Sequence, residues 1–185
     1  QPGKRRGSAD LMLKVFDLER EGSYLSYDNY GSKSTGRNRF GIEYHYNNLT
    51  NVGDQISLSG MTSTDDLHNF QLRYSVPVGS NGASLHLTAG QMNYVLGGQY
   101  DYLNADGLTN TYELGVSVPL YRTYAQSLFY SINVRHRDIH DYILSGMYGT
   151  EKASDSIEGD FYGYRRDGRN SFSWTVGHVA GDLLL

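Results

Sequence analysis

The stretch Arg39-Phe40-Gly41-Ile42-Glu43-Tyr44-His45-Tyr46-Asn47 alternates residue by residue, with Phe40, Ile42, Tyr44 and Tyr46 in one set and Arg39, Gly41, Glu43, His45 and Asn47 in the other. Successive side chains of a β-strand point to opposite faces, so a strand of this pattern separates an apolar environment from a wet one. The same period restarts at Gln55–Ser59, Asn69–Val76, Ser84–Ala89, Thr111–Val118 and Ser127–Arg137. The repetition predicts a wall with a greasy side and a wet side.

Composition decides which kind of wall. The 185 residues include 17 Tyr and 6 Phe against 1 Trp, with 22 Gly, 3 Pro, no Cys and 38% hydrophobic residues; the mean hydropathy is −0.53. A soluble sandwich of eight or nine strands would need two inward faces rich in Val, Ile and Leu. Here the apolar positions are often Tyr, whose greasy ring and wet hydroxyl suit a membrane interface. Alternating segments of roughly 10 residues, aromatic girdles and a polar interior mark transmembrane β-barrels. The expected fold class is therefore all-β, an antiparallel transmembrane β-barrel. No run approaches the ~20 apolar residues of a membrane helix.

Without Cys there is no disulfide framework and no Cys-based metal or nucleophile chemistry. A net charge of −4 gives no electrostatic reason to expect a nucleic-acid partner. Gln1 to Arg6 is polar and basic without the apolar core of a signal peptide behind it, so no signal peptide is expected to open the chain. The sequence is expected to start after processing or to be internal.

Residues 1–18 read differently from the rest: a basic lead runs into the more aliphatic Ala9 to Phe16, taken as the last strand of a preceding domain. Wall strands are predicted at Ser23–Tyr30, Arg37–Asn47, Gln55–Thr62, Leu67–Val76, Ala83 to about Leu96, Leu108–Val118, Ser127 to about Asp138, Ser156–Arg166 and from Ser171 onward. Pro77 and Pro119 close strands on one side, where the turns at 77–82 and 167–170 are short. Longer loops are expected at 97–107 and 139–154, and such asymmetry is a barrel trait.

Four segments, in order, resemble the outer-membrane transporters of two-partner secretion, the haemolysin-activator and filamentous-haemagglutinin transporter group. Gly7-Ser8-Ala9-Asp10-Leu11-Met12 resembles the closing strand of that family's second periplasmic POTRA domain. Tyr27-Asp28-Asn29-Tyr30-Gly31-Ser32, with Thr35-Gly36-Arg37, resembles its first barrel strand and loop. Asn48, Leu49, Gly53 and Asp54 resemble its first periplasmic turn, and Tyr74 to Gly79 with Gly82 its second. The resemblance implies a closing POTRA strand over 1–18 and, over 19–185, about eight or nine strands of a sixteen-stranded barrel. The family carries an Arg-Gly motif on a long inward loop in the second half of its barrel, and no residue of this sequence is assigned to it.

That resemblance implies secretion of a large exoprotein across the outer membrane of a Gram-negative bacterium, without ATP, cofactor or covalent catalysis. The partners would be the exoprotein and outer-membrane lipid, with no nucleic acid. Lumen-facing candidates on this reading are Arg39, Glu43, His45, Gln71, Arg73, His86, Glu113, Asn133, Arg135, Arg137, Glu158 and Asp160, expected to form a hydrated network of mixed charge. Their alternates, among them Phe40, Ile42, Tyr44, Phe70, Leu72, Tyr74, Leu114 and Val134, would face lipid.

Other motifs carry less. Asn104, Asp106, Gly107 and Glu113 fit positions of a calcium loop, but Tyr102 stands where Asp is needed and strands flank it. His136 and His140 have a helical metal-pair spacing, which a strand stretches to ~13 Å. No Gly-x-Ser-x-Gly elbow marks a nucleophile. No catalytic residue and no metal site is therefore expected. A porin, an assembly factor or a soluble all-β ligand-binding domain are the alternatives. A half barrel leaves two unpaired edges, so the chain is expected to need detergent or its missing strands.

Overall fold

In a computed structural model of the chain, which describes residues 19–184, nine antiparallel strands form one sheet in chain order. They are β1 (Glu21–Asp28), β2 (Arg39–Asn47), β3 (Gln55–Ser63), β4 (His68–Val78), β5 (Ala83–Val95), β6 (Asp106–Arg122), β7 (Gln126–Ile143), β8 (Tyr148–Asp167) and β9 (Asn170–Leu184). A 3-10 turn, Gly98–Leu103, lies between β5 and β6. The closing POTRA strand expected over 1–18 falls outside the described residues.

Each strand pairs with the next in unbroken register, apart from a bulge at Pro119/Tyr121 in β6. Both prolines of the wall sit close to the short turns, where a missing N–H costs the ladder little.

Several expected boundaries move. Residues 139–154 are not a long loop: β7 continues to Ile143 and β8 begins at Tyr148, with Ile143 opposite Tyr148. Polar residues on both faces of this hairpin erase the alternation while leaving the backbone ladder intact. β6 likewise runs past Val118 and through Pro119, because the bulge absorbs the proline. β1 ends at Asp28, two residues before the expected Tyr30, and β8 begins eight residues before Ser156. The asymmetry between the two ends of the wall is correspondingly smaller than the sequence suggests.

At the end opposite the short turns, the connections are laced together. Gly97 N–H donates to Ser34 O at 2.8 Å, Thr64 N–H to Asn38 O at 3.1 Å, Val95 N–H to Asp66 O at 3.2 Å and Leu144 N–H to Leu103 O at 2.8 Å. Ser63 Oγ donates to Thr35 O. Gly36, at φ +95, lets the β1–β2 connection lie against this lattice, since a Cβ there would stand 2.7 Å from Asp65 N.

The wall has no conventional core. Among the described residues the buried hydrophobics are Ala83 and Ala105, whereas Leu25 is 74% exposed and Val176 65%. A soluble domain hides such side chains in one contiguous cluster. Here Leu25, Ile42, Leu72, Leu114 and Val176 lie on one face and belong to an exposed belt.

Candidate functional site

The register sorts every strand into two faces. One row runs His45–Ser57–Arg73–Thr88–Glu113–Arg135–Ser156 from β2 to β8. The row nearer the short turns runs Asn47–Gln55–Ser75–His86–Gly115–Asn133–Glu158, and the row on the other side contains Glu43, Gln71, Thr111 and Arg137. Asp160 pairs with Ser131, and Arg39 with Asp28, on this same polar face. A groove of 610 Å³ on it draws residues from β3 to β9, including Arg73, His86, Glu113 and Asp160.

Some of these side chains meet and others do not. Arg135 donates through Nε and Nη2 to Glu113 Oε2 at 2.8 and 2.6 Å, and through Nη2 to Glu158 Oε2 at 3.3 Å. His86 Nε2 donates to Asn133 Oδ1 at 2.7 Å and stands 3.9 Å from Glu113 Oε1. Five side chains from four strands thus form one network around Glu113, whose side chain is 13% exposed. Arg39 pairs separately with Asp28 at 2.8 Å. Glu43, Gln71, Arg73 and Arg137 are exposed on the polar face and make no ion pair among the described residues.

The structure adds members that alternation could not single out. Tyr94 Oη donates to Asp141 Oδ1 at 3.0 Å across Gly107, repeating the span of His86 to Asn133 across Gly115. Ser117 Oγ and Tyr162 Oη lie 2.6 Å apart. The sequence signal was a glycine facing a long polar side chain on each neighbouring strand, visible once the register is known.

The other face carries an apolar belt, and the belt climbs across the ladder. The row from Tyr46 passes through Ile56, Tyr74, Leu87, Leu114, Val134 and Ile157 to Ala180. In β2 Tyr46 is the apolar residue nearest the turn; in β9 the belt is Phe172, Trp174 and Val176, ending eight residues closer to the turn than Ala180. Eight residues at ~3.3 Å over seven strand spacings of ~4.8 Å give a slope of about 38°. Membrane-spanning barrel strands tilt by about 35–45°, so a belt of this slope is level in a bilayer.

Above the belt the same face turns polar. His136 lies 2.6 Å from an Asp155 oxygen and 3.1 Å from an Asp138 oxygen, and His140 lies 3.7 Å from Glu151. Asp106, at the foot of the suggested calcium loop, and Glu113 are both within β6.

Comparison with known proteins agrees with this geometry. The sequence model for the haemolysin secretion/activation protein ShlB/FhaC/HecB matches residues 7–147. The chain belongs to this family. It is 32% identical over 140 residues to the heme/hemopexin transporter protein HuxB of Haemophilus influenzae strain 86-028NP, which covers 75% of this chain and 25% of that protein. HuxB of the KW20 / Rd strain matches with the same identity and coverage. Among solved structures, CdiB from Escherichia coli superposes with a TM-score of 0.81 at 21% identity, covering 98% of this chain and 35% of that one. CdiB from Acinetobacter baumannii gives 0.73 at 14% identity over 90% and 32%. The nine-stranded sheet is the fold of part of these barrels, and the chain spans about a quarter of the length of the curated relatives it matches. Members of the family are outer-membrane transporters of Gram-negative bacteria.

Proposed function

We propose that residues 19–185 form the first half of an outer-membrane barrel that secretes and activates a large exoprotein by two-partner secretion, with outer-membrane lipid against the belt and the exoprotein against the polar face. The observation that carries this reading is the two-face register: charged and amide side chains line one continuous groove, and the other side is a belt whose slope fits a bilayer. In this role Arg39, Glu43, His45, Gln71, Arg73, Glu113, Arg135, Arg137, Glu158 and Asp160 face the lumen.

A polar lumen keeps the backbone of an extended chain hydrated as it passes, and folding outside the cell supplies direction without ATP. Hydrogen bonds exchanged between water, lumen and substrate differ little in free energy, which lets the chain slide rather than stick. The free edge of β9, exposed along its whole length, is where further strands of the barrel pair.

Single cysteines at Arg73 and Leu72 in the full transporter test the reading with its exoprotein stalled in transit. Crosslinks from position 73 and none from position 72 are the expected result. Equal labelling at both positions, or crosslinks from 72 alone, would overturn it.

A further inference from the structure

Two neighbouring strands break the alternation at one and the same place. Leu128-Phe129-Tyr130 in β7 and Phe161-Tyr162 in β8 each put consecutive aromatic or apolar residues where one should be polar. Phe129 pairs with Tyr162, and both lie on the polar face with Ser131 and Asp160. Their rings stack, with centroids 5.1 Å apart and planes 7° from parallel. On the opposite face Tyr130 and Phe161 form a separate tilted pair within the belt.

Among the described residues, Phe129 and Tyr162 are the aromatic pair on the polar face. The pair is fixed rather than loose: the Tyr162 hydroxyl meets Ser117 Oγ at 2.6 Å, and Pro119 lies opposite Phe129 on β6. Tyr164, one row nearer the turn and 43% exposed, extends the aromatic surface toward the short-turn end. Tyr162 also lines the 610 Å³ groove, so the aromatic surface is continuous with it. Apolar rings facing a wet groove, held in place by neighbours, are a costly arrangement unless something apolar meets them.

We propose that Phe129, Tyr162 and Tyr164 form a binding platform on the polar face, near the short turns, for apolar side chains of an extended polypeptide. This rests on the secretion reading and names the substrate chemistry of that pore. Rigid rings bind flat or aliphatic side chains with little loss of conformational freedom, and they do so without regard to sequence. The platform gives a passing chain a foothold that the surrounding charges cannot provide.

The test uses the full transporter and its exoprotein. Phe129→Ser with Tyr162→Ser is compared with Phe129→Leu with Tyr162→Phe, reading secretion rate alongside barrel assembly by heat-modifiable mobility. The first pair is expected to slow secretion by about tenfold with the barrel assembled, the second by less than about twofold. In parallel, a benzophenone side chain at Tyr164 should capture the stalled exoprotein, and capture should vanish when apolar residues in the stalled window become Ser; the same probe at Tyr130 should capture nothing.

Parent-rate secretion by the assembled Ser pair would overturn the platform. So would capture from Arg73 but not from Tyr164, with the pore reading intact. Absence of capture at both positions would overturn pore and platform together. If the Ser pair does not assemble, capture at Tyr164 and its loss with the Ser-substituted window decide the matter.

Discussion

His86 reaches Asn133 over the bare backbone of Gly115: Nε2 and Oδ1 are 2.7 Å apart, and a Cβ on the glycine would lie 2.0 Å from one and 2.2 Å from the other. The three residues are register partners on β5, β6 and β7, so a bond between second-neighbour strands is possible where the middle strand has no side chain. Gly115→Ala is therefore expected to push imidazole and amide apart and to cost about 1–3 kcal/mol, as overpacking does. The urea midpoint of the assembled barrel in lipid measures it. An unchanged midpoint would mean that the His86–Asn133 bond contributes nothing to the wall.

Arg135 sits between two carboxylates that are not equivalent. Glu113 is 2.6 Å away with its side chain 13% exposed, and Glu158 is 3.3 Å away at 29%. Removing the better-shielded partner leaves the guanidinium only its longer, more exposed contact with Glu158, so Glu113→Gln should cost about 1–3 kcal/mol, and Glu158→Gln under about 1. A double-mutant cycle between Glu113 and Arg135 should show coupling that falls little between low and high salt. Equal costs for the two substitutions would contradict the asymmetry.

Most of the wall is legible in the sequence because one physical constraint, two solvents on two faces, acts on every second residue. Arg39 to Asn47 can be assigned to faces from the alternation of Phe40, Ile42, Tyr44 and Tyr46 alone. The signal fails where both faces meet water: between His136 and Asp155 polar residues occupy either side, yet the ladder continues to Ile143 and Tyr148. It also fails where a residue matters through a neighbour's absence. Gly107 and Gly115 read as weak strand positions until the register sets Tyr94 and His86 across them. The stacking of Phe129 on Tyr162 needs the same knowledge, since the two are 33 positions apart and meet only through strand pairing.

The β2–β3 turn is held by Asp54, 1% exposed, whose carboxylate accepts from Thr50 N–H at 3.0 Å and Tyr74 Oη at 3.0 Å. Burial alone would raise its pKa, but the hydrogen bonds from Thr50 and Tyr74 outweigh it and hold the carboxyl below the usual carboxylate value. A depressed folded pKa stabilises above the unfolded value of about 3.9 and loses that contribution as pH falls through the lower folded value. Protection of the Thr50 amide from hydrogen exchange, corrected for intrinsic rate, should therefore be constant from about pH 5 to 7 and weaken below about pH 4. Asp54→Asn should lower that protection on the order of tenfold and abolish the pH dependence. A pH-dependent loss that persists in the variant would assign it to another group.

The slope of the apolar belt makes the sharpest prediction, because it separates residues that share a row. Leu114 and Ala180 lie on one hydrogen-bonded row, yet Leu114 is inside the belt of β6 and Ala180 is above the belt of β9, beyond His178. An arginine at the bilayer midplane costs about 2–4 kcal/mol and near an interface about 0–1. Leu114→Arg is expected at the high end, and Ala180→Arg and His136→Arg at the low end, measured as shifts in unfolding free energy in lipid. Register alone would assign positions 114 and 180 the same depth, so equal costs would mean that the belt does not mark the membrane.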